Sequence, residues 1–211
     1  MKAHLLLIPA AGLLLAQAAF ADQKQSYDFS GFSELDVAAG VQVVYTPSET
    51  YSVVAEFQKG DPSDLKISQS GDRLSISRKM SSGWGDKLRV KVEVSGPALN
   101  AVDASSGSSL DASGVKADAF ALKVSSGASV EVSGSCGSLA VRVSSGGSAD
   151  ARDLRCESVA ASASSGGSAD AYASQSAVSK TSSGGSVDIW GSPAERTANH
   201  SMSGGSTSFH N

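Results

Sequence analysis

Five acidic side chains recur at a nearly constant spacing in the second half of this sequence, and each lies four residues after a glycine. They are Asp111, Glu131, Asp150, Asp170 and Asp188. Carboxylates brought together in this way could bind calcium, which takes several oxygen ligands in flexible geometry, or could contact a glycan. Strand alternation alone would also place them, as solvent-facing positions. We favour solvent-facing acids and keep a weak divalent-cation or glycan-contact strip, chiefly Asp150, Asp170 and Asp188, as the alternative hypothesis.

Two tryptophans and two histidines are the other side chains that could take part in binding or catalysis. Trp84 lies between two glycines in an expected loop, so it is a better candidate than Trp190 for stacking on a sugar, although packing explains either ring. His200 and His210 have no acid and nucleophile in a recognisable arrangement, which disfavours a Ser-His-Asp hydrolase. We expect these histidines to lie on the surface or to stack on neighbours, and the sequence predicts no catalytic residue.

The acids belong to a motif that occurs six times between residues 102 and 209. Its form is Ser-Ser-Gly, a small residue, Ser, an apolar residue, an acid and a second apolar residue, and the sixth copy has lost the acid. The central glycines are separated by 20, 19, 20, 18 and 20 residues, and a period near twenty is typical of a solenoid. These glycines are Gly107, Gly127, Gly146, Gly166, Gly184 and Gly204.

The residues on either side of each glycine alternate between apolar and polar side chains, as strands with one buried face do. Twenty residues leave no room for a useful helix, so we expect one β-coil per repeat, stacked at about 4.8 Å. The sequence therefore predicts an all-β, single-stranded, right-handed β-helix. Its aligned glycines would form one corner, where the backbone needs a positive φ or a close approach by the next coil. Its acids would form one column.

The two cysteines, Cys136 and Cys156, each lie ten residues before a motif glycine. In stacked coils they occupy equivalent places on consecutive strands, about 5 Å apart at Cα, which is within the range of a disulfide. Export to an oxidising compartment would permit the bond. We therefore predict a disulfide between them.

Residues 1–21 have the pattern of a cleaved signal peptide. Lys2 precedes an apolar run, and Ala19-Phe20-Ala21 fits a cleavage site. The remaining chain, 22–211, has no further segment of transmembrane type and, without Lys2, carries 16 basic and 21 acidic residues. This balance disfavours nucleic acid as a partner. We expect an exported protein that is periplasmic, at the cell surface or extracellular.

We expect residues 22–211 to form a single β-helical domain with two parts. Residues 27–100 contain larger apolar side chains in irregular alternating runs, and the Ser-Gly repeats occupy 101–211. The stretch 35–40 has the same layout as 102–107, so the first part should already contain a coil of this kind. We expect this part to cap the open edge of the stack.

The order of residues over nearly the whole mature chain resembles one known family. The pattern is Phe32-x-x-Leu35-Asp36-Val37-x-x-Gly40-Val41-x-Val43, then Tyr51-x-Val53, Leu74-x-Ile76 and Pro97-x-Leu99 before the Ser-Gly repeats. It is similar to the auto-transporter adhesin head domain, also called the GIN domain. The resemblance implies a bacterial exported β-helical domain of unknown biochemistry.

Two hypotheses about function follow from these features. We favour a non-catalytic structural or adhesion-type module of the bacterial cell envelope, with a surface glycan or envelope component as its partner and homo-oligomers compatible with the pattern. The alternative is a carbohydrate-active β-helix, a polysaccharide lyase or hydrolase that would use the acidic column. No cofactor is expected beyond weak calcium binding, and no metal site is assigned.

Overall fold

The computed structural model describes residues 23–79, 88–201 and 203–211 of this 211-residue chain. These residues form fifteen strands joined in one sheet, and one short 3-10 helix at Pro62–Asp64. The strands are β1 (Gln23–Tyr27), β2 (Glu34–Val37), β3 (Gln42–Pro47), β4 (Ser52–Lys59), β5 (Leu65–Ser70), β6 (Arg73–Arg78), β7 (Arg89–Gly96), β8 (Ala101–Ala104), β9 (Ser109–Val124), β10 (Ser129–Val143), β11 (Ser148–Ala163), β12 (Ser168–Thr181), β13 (Ser186–Trp190), β14 (Glu195–His200) and β15 (Ser206–His210). The predicted all-β class is confirmed.

The strands of the repeat region stack in parallel as the coils of a solenoid with about five turns. In β9 the alternation of exposed and buried residues is broken by exposed pairs at 113–114 and 118–119. These two breaks and the Ser-Gly turn divide this coil into three segments. The predicted solenoid is confirmed, and its right-handed sense stays a prediction.

Each of the first five Ser-Gly corners is a four-residue turn in which a serine and the motif glycine after it both have positive φ. At the first corner φ is +55° for Ser106 and +70° for Gly107, and the Ser108 N–H donates to the Ser105 carbonyl at 3.2 Å. Paired positive φ values define a type I′ turn. The Gly107 N–H donates to the Ser126 carbonyl of the next coil at 3.1 Å, so the corners are also linked along the stack.

The six motif glycines are needed for their backbone conformation and not because a side chain would lack space. Their φ values lie between +70° and +81°, and a Cβ added at any of them would meet nothing within 4 Å. The close approach between coils is one residue later. A Cβ on Gly147 would lie 2.9 Å from the Val124 carbonyl oxygen, and a Cβ on Gly185 would lie 2.4 Å from the backbone of Ala163.

The N-terminal part contains a coil of the same type, as the layout of residues 35–40 predicts. Strand β2 pairs in parallel with β8, with Leu35 opposite Val102, and β3 pairs in parallel with β9, with Val43 opposite Leu110. Strands β6 and β7 come later in the chain but lie on the outer side of β2 and β3. Strands β5, β4 and β1 then add antiparallel to this end, where they cover the last parallel coil.

The side chains inside the solenoid become smaller and then more polar toward its C-terminal end. Buried residues near the N-terminal part include Phe32, Tyr45 and Leu122, whereas alanines dominate the interior of β11 and β12. Two buried positions near this end are polar: Ser179 Oγ lies 2.9 Å from Thr207 Oγ1, and Thr181 Oγ1 lies 2.7 Å from His200 Nδ1. The Arg196 guanidinium lies 5.4 Å from the centre of the Phe209 ring. At this end of the core, hydrogen-bonding groups therefore lie on one part of the coil, and the buried apolar residues Val187 and Ile189 lie on another.

Cys136 of β10 and Cys156 of β11 form the predicted disulfide, with their Cα atoms 4.5 Å apart. The two residues are register partners on consecutive coils, so the bond joins two turns of the solenoid. Residues 1–21, with the predicted signal peptide, lie outside the described residues. The single-domain boundary at 22–211 stays a prediction. Within the described parts of the chain, no helix is long and apolar enough to span a membrane.

Candidate functional site

The five acids form one column along the outside of the solenoid. Each is the direct register partner of the next: Asp111 of Glu131, Glu131 of Asp150, Asp150 of Asp170, and Asp170 of Asp188. Their apolar neighbours on both sides in sequence point into the core, which fixes the acids on the outer surface. Parallel strands lie about 4.8 Å apart, so the carboxylates are repeated along the stack at about that spacing.

Two further sets of outward side chains flank the acids, and together the three sets make up what we call the acid-column face. Two residues before each acid stands a serine. Two residues after each acid stands a serine in the first two repeats and a larger side chain in the later ones. The serines before the acids are Ser109, Ser129, Ser148, Ser168 and Ser186. The residues after them are Ser113, Ser133, Arg152, Tyr172 and Trp190, with His210 at the same place in the last strand.

Asp150 is held by Arg152 of the same strand. The Arg152 Nε–H donates to Asp150 Oδ1 at 3.0 Å, and the Arg152 backbone N–H donates to the same oxygen at 3.1 Å. Hydrogen bonding to the guanidinium group holds the pKa of the Asp150 carboxyl below its ordinary value, although partial burial acts in the opposite direction. Asp150 is therefore an ionised, already partnered carboxylate.

Asp170 has the opposite electrostatic environment. Burial raises the pKa of its carboxyl above the ordinary value, and the neighbouring charges of Asp150 and Asp188 raise it further. The Trp190 Nε1–H donates to Asp170 Oδ1 at 3.4 Å, which partly offsets these effects. Asp170 is therefore the member of the column on which crowding of like charge has the clearest effect.

Asp188 and the aromatic side chains form the C-terminal end of the face. Asp188 Oδ1 lies 2.7 Å from His210 Nε2. The His210 ring stacks on Trp190 with ring centres 4.3 Å apart, and the Arg152 guanidinium lies 5.7 Å from the Trp190 ring centre. The Tyr172 ring carries the Arg155 guanidinium at 4.3 Å. Arg155 therefore covers a face of the Tyr172 ring, and His210 stacks on Trp190, whose N–H already donates to Asp170. The ring edges and the Tyr172 hydroxyl are what the surface offers to a ligand.

The arrangement fits hydrogen bonding to a ligand better than enclosure of an ion. Asp150, Asp170 and Asp188 each have a separate protein partner, and no group of three or more His, Cys, Asp or Glu side chains in the described parts of the chain is arranged to hold a metal. The Ser186 hydroxyl also donates to Asp188, at 3.4 Å. Weak calcium binding stays a prediction.

The same contacts show why no hydrolytic triad forms at this end of the face. Asp188 stands between Ser186 and His210, whereas a triad requires the histidine between the hydroxyl and the acid. His200 is paired instead with Thr181 on a different side of the coil. Trp84, the other sugar-stacking candidate, lies outside the described residues.

Sequence reasoning did not find the partners that Arg152, Tyr172 and His210 provide. Their signal is the position two residues after each acid, where serine gives way to large side chains from the third repeat onward. That change is visible in the sequence, but which acid each side chain contacts depends on how far it reaches along the stack. Trp190, for example, bonds Asp170 of the preceding coil.

A parallel β-solenoid with an end cap and ladders of like side chains on its outer surface is a repeat-built β architecture. The profile of the family described as "Putative auto-transporter adhesin, head GIN domain" matches residues 31–193. The chain belongs to this family, as the resemblance of its sequence predicts. Among curated proteins, none matches the chain.

Several solved structures share the fold. A putative adhesin from Bacteroides fragilis is 18% identical, with a TM-score of 0.71, over 92% of this chain and 98% of the other. Putative adhesins from Parabacteroides merdae and Parabacteroides distasonis are 14% and 12% identical, with TM-scores of 0.51 and 0.53. Each of these two comparisons covers 90% of this chain, and they cover 99% and 97% of the other chains. These likenesses show the fold, and the fold alone.

Proposed function

We propose that this protein is a non-catalytic, exported adhesion-type module of the bacterial cell envelope, and that it contacts a surface glycan through the acid-column face. The observation that carries the proposal is the column itself: five acids in unbroken register, flanked by serines and aromatic side chains, on one side of a rigid stack. A face of this kind repeats the same hydrogen-bonding groups at each coil, as contact with an extended polymer requires.

The chemistry of the face supports glycan contact. Carboxylates accept hydrogen bonds from sugar hydroxyls, and serine hydroxyls both donate and accept. Tyr172 adds apolar area with a polar tip, a combination that is enriched at recognition surfaces, and Trp190 adds the edge of its indole ring. The face is built on strands, so its groups are held in place before a ligand binds, which lowers the entropy cost of binding.

The carbohydrate-active alternative has less support. A glycosidase needs two carboxyl groups with different protonation states on either side of one bond. Asp150 and Asp170 do have pKa values shifted in opposite directions, but they are adjacent on the same flat side, and Asp150 is tied to Arg152. The new reducing ends that a hydrolase makes and the unsaturated products that a lyase makes can both be measured separately from binding.

The test is to incubate the mature chain with neutral and acidic polysaccharides, with and without calcium, and to measure binding together with new reducing ends and unsaturated products. We expect binding of at least one polysaccharide and no products above the blank. Product formation that is lost in Asp150→Asn or Asp170→Asn would overturn the non-catalytic proposal in favour of the alternative.

Export is tested separately, by cell fractionation combined with surface protease access. We expect a chain cleaved after residue 21 in the periplasmic, surface or extracellular fraction. An uncleaved chain that remains in the cytoplasm would contradict the proposed location, whatever the polysaccharide assays show.

A further inference from the structure

We propose that strands β14 and β15 form a self-association surface, on which a second copy of this chain adds its own β14 and β15 in antiparallel pairing. The two strands lie on either side of the last Ser-Gly corner. In the parts of the chain that the structure describes, β14 pairs only with β12, and β15 pairs only with β13. Each strand therefore turns its other edge away from the stack, and such an edge is a template for a further strand.

The exposure of the residues shows that these two strands are uncovered. All six residues of β14 are exposed, including Arg196, Ala198 and His200, whose register partners one coil earlier are buried. Phe209 of β15 is partly exposed, whereas its register partner Ile189 is fully buried. A layer of strands added at this end would therefore cover side chains that continue the interior of the solenoid.

The backbone groups of the two strands show which residues can pair with an added strand. The Ser201 and Ser206 N–H groups donate back to the preceding coil, to the carbonyls of Thr181 and Gly185, at 3.0 Å each. Successive residues of a strand point their N–H and C=O groups to opposite edges. Counted from these two serines, the residues whose backbone groups point away from the stack are Arg196, Ala198, His200, Thr207 and Phe209.

A two-fold axis through the corner between β14 and β15 provides partners for both strands at once. Rotation about this axis reverses the direction of the stack and lays β14 of each copy antiparallel to β15 of the other. Antiparallel pairing joins residues whose backbone groups face each other. One such register places Arg196 opposite Phe209 of the second copy, and Ala198 opposite Thr207 of the second copy. Residues that face the interior therefore meet residues that also face the interior.

The side chains of this register are complementary. The Arg196 guanidinium already lies 5.4 Å from the centre of the Phe209 ring within one copy, and the register repeats this pairing between copies. On the outer surface, Glu195 stands opposite His210 of the second copy, and no two charges of the same sign face each other. Because each copy offers the same surface to the other, the assembly closes as a dimer.

This dimer goes beyond the proposed adhesion function and does not rest on it. The pairing uses the edges of β14 and β15 and none of the five acids of the column. A dimer would carry two acid-column faces, one on each copy, so that a polymer with many binding sites could engage both at once. Failure of either proposal would leave the other standing.

Disulfide trapping tests the register. Thr197 stands opposite Ser208 of the second copy in a pair without backbone hydrogen bonds, where the Cα atoms lie about 4.5 Å apart, within the range of a disulfide. We expect a covalent dimer when the variants T197C and S208C are mixed and oxidised in air, and none from either variant alone. The matched control is N199C mixed with S208C, which should give at least tenfold less product. Absence of a cross-link in the first mixture, or equal yields in the two mixtures, would overturn the proposal.

Sedimentation equilibrium of the mature protein over a concentration series tests the association itself. We expect a monomer–dimer equilibrium without larger species. A198K places a charge at an interior-facing position of the paired edge and should raise the Kd of the dimer at least tenfold. N199K, the matched control, places the same charge at the neighbouring outward position and should change the Kd by less than twofold. Circular dichroism checks that both variants keep the fold.

Three outcomes of the sedimentation experiment would contradict the proposal. A monomer at every concentration up to the millimolar range would leave this edge to a strand from another protein. A growing series of larger species would exclude closure by a two-fold axis. Equal weakening by A198K and N199K would show a general effect of charge and not a paired edge.

Discussion

At the scale of single residues, the glycine-rich motif meets two separate requirements at two adjacent positions: a positive φ and a close approach of neighbouring coils. The motif glycine supplies a positive φ in open space, and the residue after it determines how closely the coils approach. Sequence reasoning could find the corner but not this division, because Gly-Gly gives no sign of which glycine is needed for which reason. Ser108 and Ala128 show that the second position accepts a small side chain in the earlier coils.

Substitution of the two glycines of one corner should give clearly different costs. In G184A the new methyl group meets no atom, so the cost comes from placing alanine at a positive φ. We expect this to lower the free energy of unfolding by about 1 kcal/mol. In G185A the methyl group lies 2.4 Å from the Ala163 backbone, so the coils must move apart, and we expect about 3 kcal/mol. Urea denaturation of both variants measures the difference, and equal losses would contradict the assignment of roles.

The two central acids should respond oppositely to loss of charge at pH 7. The pKa of Asp150 is lowered, so its stabilising effect is present above its ordinary pKa and is lost as pH falls through the lowered value. The pKa of Asp170 is raised, so its contribution is present below its ordinary pKa and is lost as pH rises through the raised value.

We therefore expect D150N to lower the free energy of unfolding by less than about 1 kcal/mol at pH 7, since its partner Arg152 is exposed. We expect D170N to raise it by up to about 1 kcal/mol, because one of three stacked like charges is removed and the Trp190 hydrogen bond can be kept. Thermal melts at pH 7 and pH 3 test both. Changes of the same sign at pH 7, or a D170N effect that persists at pH 3, where Asp170 is protonated, would be inconsistent with the described electrostatics.

At the scale of elements, the coil register was the most predictable feature. Equal spacing from the motif glycines is sufficient to place Cys136 beside Cys156 and each acid beside the next. The breaks in alternation within the long strands were not predictable in the same way. They occur where the register shifts to accommodate repeats of 18 or 19 residues. The sequence shows that a repeat is one or two residues shorter, but it does not show where along the coil the register shifts.

The disulfide should account for a large part of the stability of the middle coils. The neighbouring positions in the same column are Ala117 and Ala173, so C136A/C156A places a residue that the fold already uses there and removes only the cross-link. We expect a loss of about 3 kcal/mol, as closure of a loop of about twenty residues predicts. Reductant should reproduce the loss in the parent and have no effect on the variant. A difference below about 1 kcal/mol would show that the bond adds little to the stacked register.

At the scale of the whole molecule, the sequence predicts the repeat region well and the cap poorly. The similarity of residues 35–40 to 102–107 correctly indicates an early coil, but β6 and β7 lie outside β2 and β3 although they follow them in the chain. The order of these strands in the sheet is therefore the reverse of their order in the chain. It depends on pairing between residues about forty to fifty positions apart, and the alternating pattern is equally compatible with many other partners.

The central claim is that one outer side of the solenoid, the acid-column face, is the adhesive surface. It is tested most directly by binding of the mature domain to a glycan array, with Y172S/W190S as the variant and R142S/K180S as the matched control on another side. Serine occupies the corresponding places after Asp111 and Glu131, so Y172S/W190S is compatible with the coil. We predict that the parent and R142S/K180S bind the same glycans and that the signal falls at least tenfold in Y172S/W190S. No glycan bound by the parent, or undiminished binding by Y172S/W190S, would contradict the claim.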